Sequence, residues 1–219
     1  MKTSLRLWNV CPLLAMLCFC GCSNSADDLG LKISHGDRSA LEKYIQKGFD
    51  VNRRFVDESL LFKALKGGKY DMVDKLLKLG ADPNATNAYS ATVLMEASGG
   101  SRPSIVQLLI KHQADVGKKD QMGYNAVRYA VGGNPENIYL LVLAGANVNN
   151  TDRNGETPLI TAVDYHEHTG RGYVDIMTLL SLGAKVNCTN SDQATPLSLA
   201  TKADDTNVIA LLLKYQKPR

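Results

Sequence analysis

"LLKLGADPN" (76–84) is one of five near-copies of a single phrase, the others being "YIQKGFDVN" (44–52), "LIKHQADVG" (109–117), "LVLAGANVN" (141–149) and "LLSLGAKVN" (179–187). In each copy an apolar run at helical spacing stops at glycine, or once at Gln113. Glycine has no Cβ, so it enters left-handed backbone cheaply and closes a helix there. The turn positions Gly48, Gly80, Gln113, Gly145 and Gly183 are 32, 33, 32 and 38 residues apart, so the last interval contains an insertion. Two more registers keep the same step. One is Ser59-Leu60-Leu61, Thr92-Val93-Leu94, Asn125-Ala126-Val127, Thr157-Pro158-Leu159 and Thr195-Pro196-Leu197; the other is Ala64, Ala97, Ala130, Ala162 and Ala200. Three registers in step indicate an array of one repeated supersecondary unit.

The unit follows from local chemistry. Ser or Thr accepts a free backbone N–H as a helix N-cap, and Pro158 and Pro196 fall at the first helical position, where no N–H is needed. A short helix follows, whose alanine lets the neighbouring helix approach closely. A polar break ("GGKYD", "GGSRPS", "GGNPEN") precedes a second helix such as "MVDKLLKL". The glycine ends it, and "ADPNAT" or "ANVNNTDRNG" leads through a hairpin-like turn to the next cap. No unit buries its apolar face alone; stacking makes one elongated core.

These residues resemble the ankyrin repeat, with its T-P-L-H-x-A, V-x-x-L-L and G-A-D-x-N elements. Thr157-Pro158-Leu159-Ile160-Thr161-Ala162 and Gly80-Ala81-Asp82-Pro83-Asn84 carry the likeness, with Ile160 and Ser198 in place of the family's histidine. The resemblance implies an all-α ankyrin-repeat solenoid over residues 28–219, about six helix–turn–helix units with hairpin loops. The first unit (28–52) and the last, ending near Gln216, are expected to act as caps.

The amino terminus reads differently. Lys2 and Arg6 precede the apolar run "LWNVCPLLAMLCF" (7–19), which is short for a bilayer span and has the layout of a secretory signal. "FCGC" (19–22) resembles the lipobox of bacterial lipoproteins, which implies cleavage after Gly21 and lipid on Cys22. Phe19 and Cys20 depart from the family's leucine and small residue. The expected organisation is a signal peptide over 1–21, a lipid-anchored linker over 22–27 and the repeat domain over 28–219. Cys11, Cys18 and Cys20 would leave with the signal, so Cys188 is the one thiol remaining and no internal disulfide is expected. Ser23 after Cys22 is similar to the sorting pattern of outer-membrane lipoproteins, which implies a periplasm-facing protein in a bacterial envelope.

Composition narrows the function. Net charge is +3; taking Lys2 and Arg6 from the 25 basic residues leaves 23 against 22 acidic ones. With no basic run in the chain, a nucleic-acid surface is not expected. P-loop, dinucleotide-type glycine, G-x-S-x-G and H-E-x-x-H motifs are all absent, so no catalytic residue and no cofactor is expected. Asp164, His166, Glu167 and His168, in the enlarged fifth unit, carry cation-binding groups. H-x-H alone falls short of the three or four ligands zinc gathers, and the stretch reads as a solvated surface loop rather than a metal site. Glu42, Asp71 and Asp175 read as partners of second-helix dipoles.

In the family, hairpin tips and the exposed side of the first helices bind proteins. By position this implies tips near 53–58, 86–89, 118–124, 150–154 and 190–193, and contributions from Phe62, Lys63, Lys66, Met95, Glu96, Arg128 and Tyr129. Interface centres favour aromatic residues, Met and Arg, which selects Phe55, Tyr89, Tyr124, Arg128 and Tyr129 as partner-binding residues. Tyr165 and Tyr173 flank the insertion and are added because inserted segments often carry function. An ankyrin stack tethered by lipid is similar to immunity lipoproteins that neutralise phospholipase toxins delivered by type VI secretion. That resemblance implies a protein partner, a secreted phospholipase, bound by a chain otherwise monomeric. Two rivals are a scaffold for a stress enzyme such as catalase and a metal-dependent enzyme or carrier built on 164–168.

Overall fold

The computed structural model describes residues 23–55 and 58–216. The expected signal peptide and Cys22 lie outside these residues. Inner and outer helices alternate in six pairs. They are α1 (Ser23–His35) with α2 (Arg38–Gln46), α3 (Leu60–Lys66) with α4 (Tyr70–Lys78), and α5 (Val93–Ser98) with α6 (Pro103–Lys111). The second half has α7 (Ala126–Ala130) with α8 (Pro135–Leu143), α9 (Pro158–Thr169) with α10 (Tyr173–Ser181), and α11 (Pro196–Lys202) with α12 (Thr206–Gln216). The inner helices stack in sequence along the array, α1 on α3 through to α9 on α11. Among the described residues no helix is long and apolar enough to cross a membrane.

The periodic residues do what their chemistry dictates. Ser59, Thr92, Asn125, Thr157 and Thr195 each accept a backbone N–H three residues on, from Phe62, Met95, Arg128, Ile160 and Ser198. The outer helices close in left-handed backbone: φ is +86° at Gly80 and +64° at Gln113, the one such position without glycine. The repeated alanines Ala64, Ala130, Ala162 and Ala200 are fully buried where inner helices meet. One core runs unbroken from Leu29 to Leu212 and is chiefly aliphatic, with Leu61, Leu76, Leu94, Leu109, Ile138 and Leu141 sealed from solvent.

Two details extend the expected organisation. Helix α1 begins at Ser23, so the stretch 23–27 read as linker is helical. Among the described residues, strands are confined to one short antiparallel pair, β1 (Arg54–Phe55) with β2 (Glu58–Ser59), at the first hairpin, where Phe55 faces Glu58. The other described hairpins are held by turns, with an isolated bridge between Thr86 and Thr92.

The end of the repeated phrase joins each unit to the next. Asn52 Nδ2 donates to Gly80 O at 2.9 Å, and Asn52 Oδ1 accepts from Asp82 N–H at 2.7 Å. Asn84 Oδ1 accepts from Asp115 N–H at 2.8 Å, and Asn149 bonds Gly183 O and Lys185 N–H at 3.1 and 2.8 Å. Gly117 stands at the matching place in the third phrase and has no side chain to make this link.

Candidate functional site

From the second hairpin on, the tips are set by a residue five positions ahead of the N-cap. Asn87, Asp120, Asp152 and Asn190 each accept two backbone N–H groups, from residues two and four further on, at 2.7–3.1 Å. Short Asx side chains bond their own turn in this way. Successive tips are also tied to one another: Tyr89 O accepts from Gln121 N–H, Met122 O from Arg153 N–H and Asn154 O from Ser191 N–H at 2.8–3.1 Å. Side chains leaving these tips therefore sit on a fixed frame.

The densest grouping on this frame lies at the fourth unit. The Arg128 guanidinium carbon stands 4.7 Å from the centre of the Tyr124 ring, a cation–π placement. Tyr124 and Tyr129 meet edge to face, with centroids 6.4 Å apart and planes at 75°. Tyr129 Oη donates to Asp120 Oδ2 at 2.8 Å. Burial, then the bonded Asp120 carboxylate and nearby Glu96, push the Tyr129 pKa well above the ordinary phenol range, so it stays a neutral donor. Glu96 accepts from Asn87 Nδ2 at 3.3 Å. Beside them Tyr89 is 71% exposed and Met122 45% exposed, aromatic and thioether groups standing in solvent at adjacent tips. Tyr124, Arg128 and Tyr129 thus form one cluster, with Tyr89 exposed on the neighbouring tip.

Other expected contacts are placed elsewhere. Phe55 is 3% exposed and packs against Tyr44 at a centroid distance of 6.1 Å. It belongs to the core of the first unit, because the first hairpin folds it inward opposite Glu58. The aromatic exposed there is Phe49, stacked on Tyr44 at 4.6 Å. Phe62 and Met95 are also sealed in the core and leave the contact surface for the same reason, since their helix positions face the neighbouring unit.

The insertion is helix rather than loop: α9 runs to Thr169 and ends at left-handed Gly170, nearly twice the length of the other inner helices from α3 on. Tyr165, on this extension, lies flat over backbone. A Cβ built on Gly132 or Gly172 would sit 3.0 Å from its ring, and both glycines have positive φ. The ring wedges between two helix–helix turns and acts as packing. Tyr173 tilts against His166 at 5.9 Å, with both half-buried.

The four cation-binding groups do not converge. His166 points inward, Nδ1 to Arg171 O at 2.9 Å and Nε2 to Asp205 Oδ2 at 3.1 Å, linking the fifth unit to the sixth. His168 faces Asp164 at 3.5 Å on the exposed side. Glu167 Oε1 is shielded without a partner, and burial, followed by the Asp205 charge, raises its pKa. Among the described residues no group of three or more His, Cys, Asp or Glu is placed to hold a metal. Cys188 Sγ lies 3.2 Å from Thr157 Oγ1 and 3.1 Å from Lys185 O, inside a turn.

Two buried polar residues make ties between units that the sequence reading did not anticipate. Asn137, fully buried in α8, donates from Nδ2 to Ser98 O and Gly100 O at 2.8 and 2.9 Å. Asp175, 2% exposed at the equivalent place in α10, accepts from Gly132 N–H at 2.8 Å. Each reaches from an outer helix to the preceding unit's turn. Asp175 is therefore an inter-unit tie beyond any interaction with its own helix dipole. Glu42 and Asp71, likewise expected to serve helix dipoles, also pair across units, with Lys75 and Arg38.

A family model described as ankyrin repeats (3 copies) matches overlapping windows at residues 29–120, 60–152, 101–180 and 125–219. A putative ankyrin repeat protein FPV031 of fowlpox virus is 32% identical over 166 residues, 72% of this chain and 47% of its own length. The ankyrin repeat domain-containing protein SAT10 of Stachybotrys chartarum is 31% identical over 73% of this chain and 8% of its own. The nuclear factor NF-kappa-B p105 subunit of Gallus gallus is 28% identical over 86% of this chain and 20% of its own. The chain thus spans about half or less of the length of these relatives.

Proposed function

The chain belongs to the ankyrin-repeat family, a protein-interaction architecture, and from that premise we propose that it is a non-catalytic binding protein that neutralises a secreted phospholipase at a bacterial envelope membrane. The observation that carries the binding part is the cluster of Tyr124, Arg128 and Tyr129 with Tyr89 and Met122 exposed on the adjoining tips, aromatics and an arginine on hydrogen-bonded turns. Such residues dominate the energetics of protein interfaces. A rigid frame lowers the ordering cost of binding. Tethering rests on the sequence: a basic start, a short apolar run, then Gly21 and Cys22 immediately before α1. Lipid on Cys22 would hold the first unit at the membrane and leave the fourth-unit face to meet a toxin arriving in the periplasm. Neutralisation then acts by covering the lipase entrance or blocking its access to lipid.

Co-expression of the chain with its cognate phospholipase toxin tests this directly. A stable complex with loss of lipid hydrolysis is expected, and a lipase that neither binds nor slows ends the proposal. Anchoring is tested separately by Cys22→Ala, which should move the protein out of the membrane fraction. Unchanged fractionation and unchanged mass of the product would remove the lipid anchor.

A further inference from the structure

The two carboxylates beside Arg128, Asp120 and Glu96, are committed, and Arg128 is not. Asp120 Oδ1 accepts from Met122 and Tyr124 N–H, and its Oδ2 holds Tyr129 Oη. Glu96 accepts from Asn87. Arg128 forms no ion pair with any carboxylate among the described residues, and its Nε is shielded from solvent with no acceptor. Its guanidinium is held in place on the Tyr124 ring. A planar cation fixed on an aromatic, paired with no carboxylate and with little freedom left to lose, is organised in advance for one.

We propose that Arg128 is the specificity-determining residue of this face and takes the carboxylate of an Asp or Glu in a partner segment. The inference rests on the reading of this face as the binding surface and names the chemistry it selects. Asp120 and Glu96 sharpen the selection. Both lie within electrostatic reach of Tyr129, whose proton they help retain, so fixed negative charge borders the site. A partner carboxylate is favoured at Arg128, whereas acidic residues beside it would meet like charge. The motif selected is a single acidic residue flanked by neutral or basic ones, with an apolar or aromatic side chain near enough to reach Tyr89 or Met122. A segment of uniformly acidic residues fits poorly.

A displayed library of random linear peptides, selected on the full chain immobilised by its C-terminus, reads this out. On the wild-type chain, enriched sequences should carry one Asp or Glu at a constant position with non-acidic neighbours. Arg128→Gln should weaken those peptides by at least about tenfold, the loss typical of a central contact, and flatten the dependence of affinity on salt. Arg128→Glu should enrich Lys or Arg at the same position. Circular dichroism of each variant confirms folding. If enriched peptides lose binding on Tyr89→Ala but keep it in Arg128→Gln, the face stands and the role of Arg128 falls. Peptides indifferent to both substitutions overturn the face itself. A wild-type selection with no acidic enrichment also overturns the proposal.

Discussion

Replacing Asp175 tests whether the units are tied by buried polar groups at their turns. Asp175 accepts from Gly132 N–H at 2.8 Å, close to where the Tyr165 ring covers the same glycine. Asp175→Ala leaves that N–H without its partner. A lost hydrogen bond to a charged acceptor costs about 1.5–3 kcal/mol, and Gly132 keeps a solvent-facing side, so water recovers part of it. The expected loss is about 1–2 kcal/mol, or a fall in melting temperature of about 2–8 °C for a chain of this size. Asp175→Asn keeps an oxygen acceptor and removes the buried charge, so it should restore most of the loss. The pH response separates the two roles. Burial raises the Asp175 pKa, and the Gly132 N–H opposes this only in part. The native state then holds the proton more tightly than the unfolded chain, and wild-type stability falls as pH rises through the window above the ordinary aspartate value of about 4. The Asn variant should lack that slope. Urea unfolding followed by circular dichroism across pH gives the stabilities. Amide exchange at Gly132 reads the joint itself, which matters because repeat arrays need not unfold in one step. Wild-type stability and unchanged Gly132 exchange in the Ala variant would refute the tie.

Gln113 holds a left-handed φ of +64° at the position where four of the five phrases place glycine. Gln113→Gly should stabilise the protein by about 1 kcal/mol, since a side chain in this conformation costs about 1–2; denaturant midpoints check it, and a loss of stability would contradict it. Leu141 is sealed in the core of the fourth unit, and Leu141→Ala should cost about 2–5 kcal/mol. Its test is thermal unfolding, in which a change below about 1 kcal/mol would mean that the site collapses without a cavity.

The fold was legible because helix ends are written in local chemistry. Glycine at the left-handed position and Ser or Thr at the cap act within a few residues of themselves, and those residues recur in step. The aromatics on the fourth-unit tips were legible by position for the same reason. Phe55 was misread because a tip position does not say which way a strand side chain turns, and pairing with β2 points it inward. The insertion was misread because its polar composition suits a solvated loop as well as a helix exposed along one side. Tyr165 finds its place only through glycines thirty-three residues earlier and seven later. The inter-unit bonds of Asn137 and Asp175 gave no local signal, since their partners are carbonyls or amides of another unit. The turn residues Asn87, Asp120, Asp152 and Asn190 were findable: each stands five places before a cap, a fourth register alongside the other three.

The asparagine that ends the phrase also bears on how such an array changes length. The first, second and fourth phrases supply one half of a joint in their asparagine, and the second, third and fifth supply the other half in the turn carbonyl or the amide two places on. A unit copied in tandem arrives with both halves and fits between its neighbours without a new contact having to evolve. The third unit is the exception. With Gly117 in place of the asparagine, any copy of it inherits an unmade joint, so duplication starting from there begins at a disadvantage.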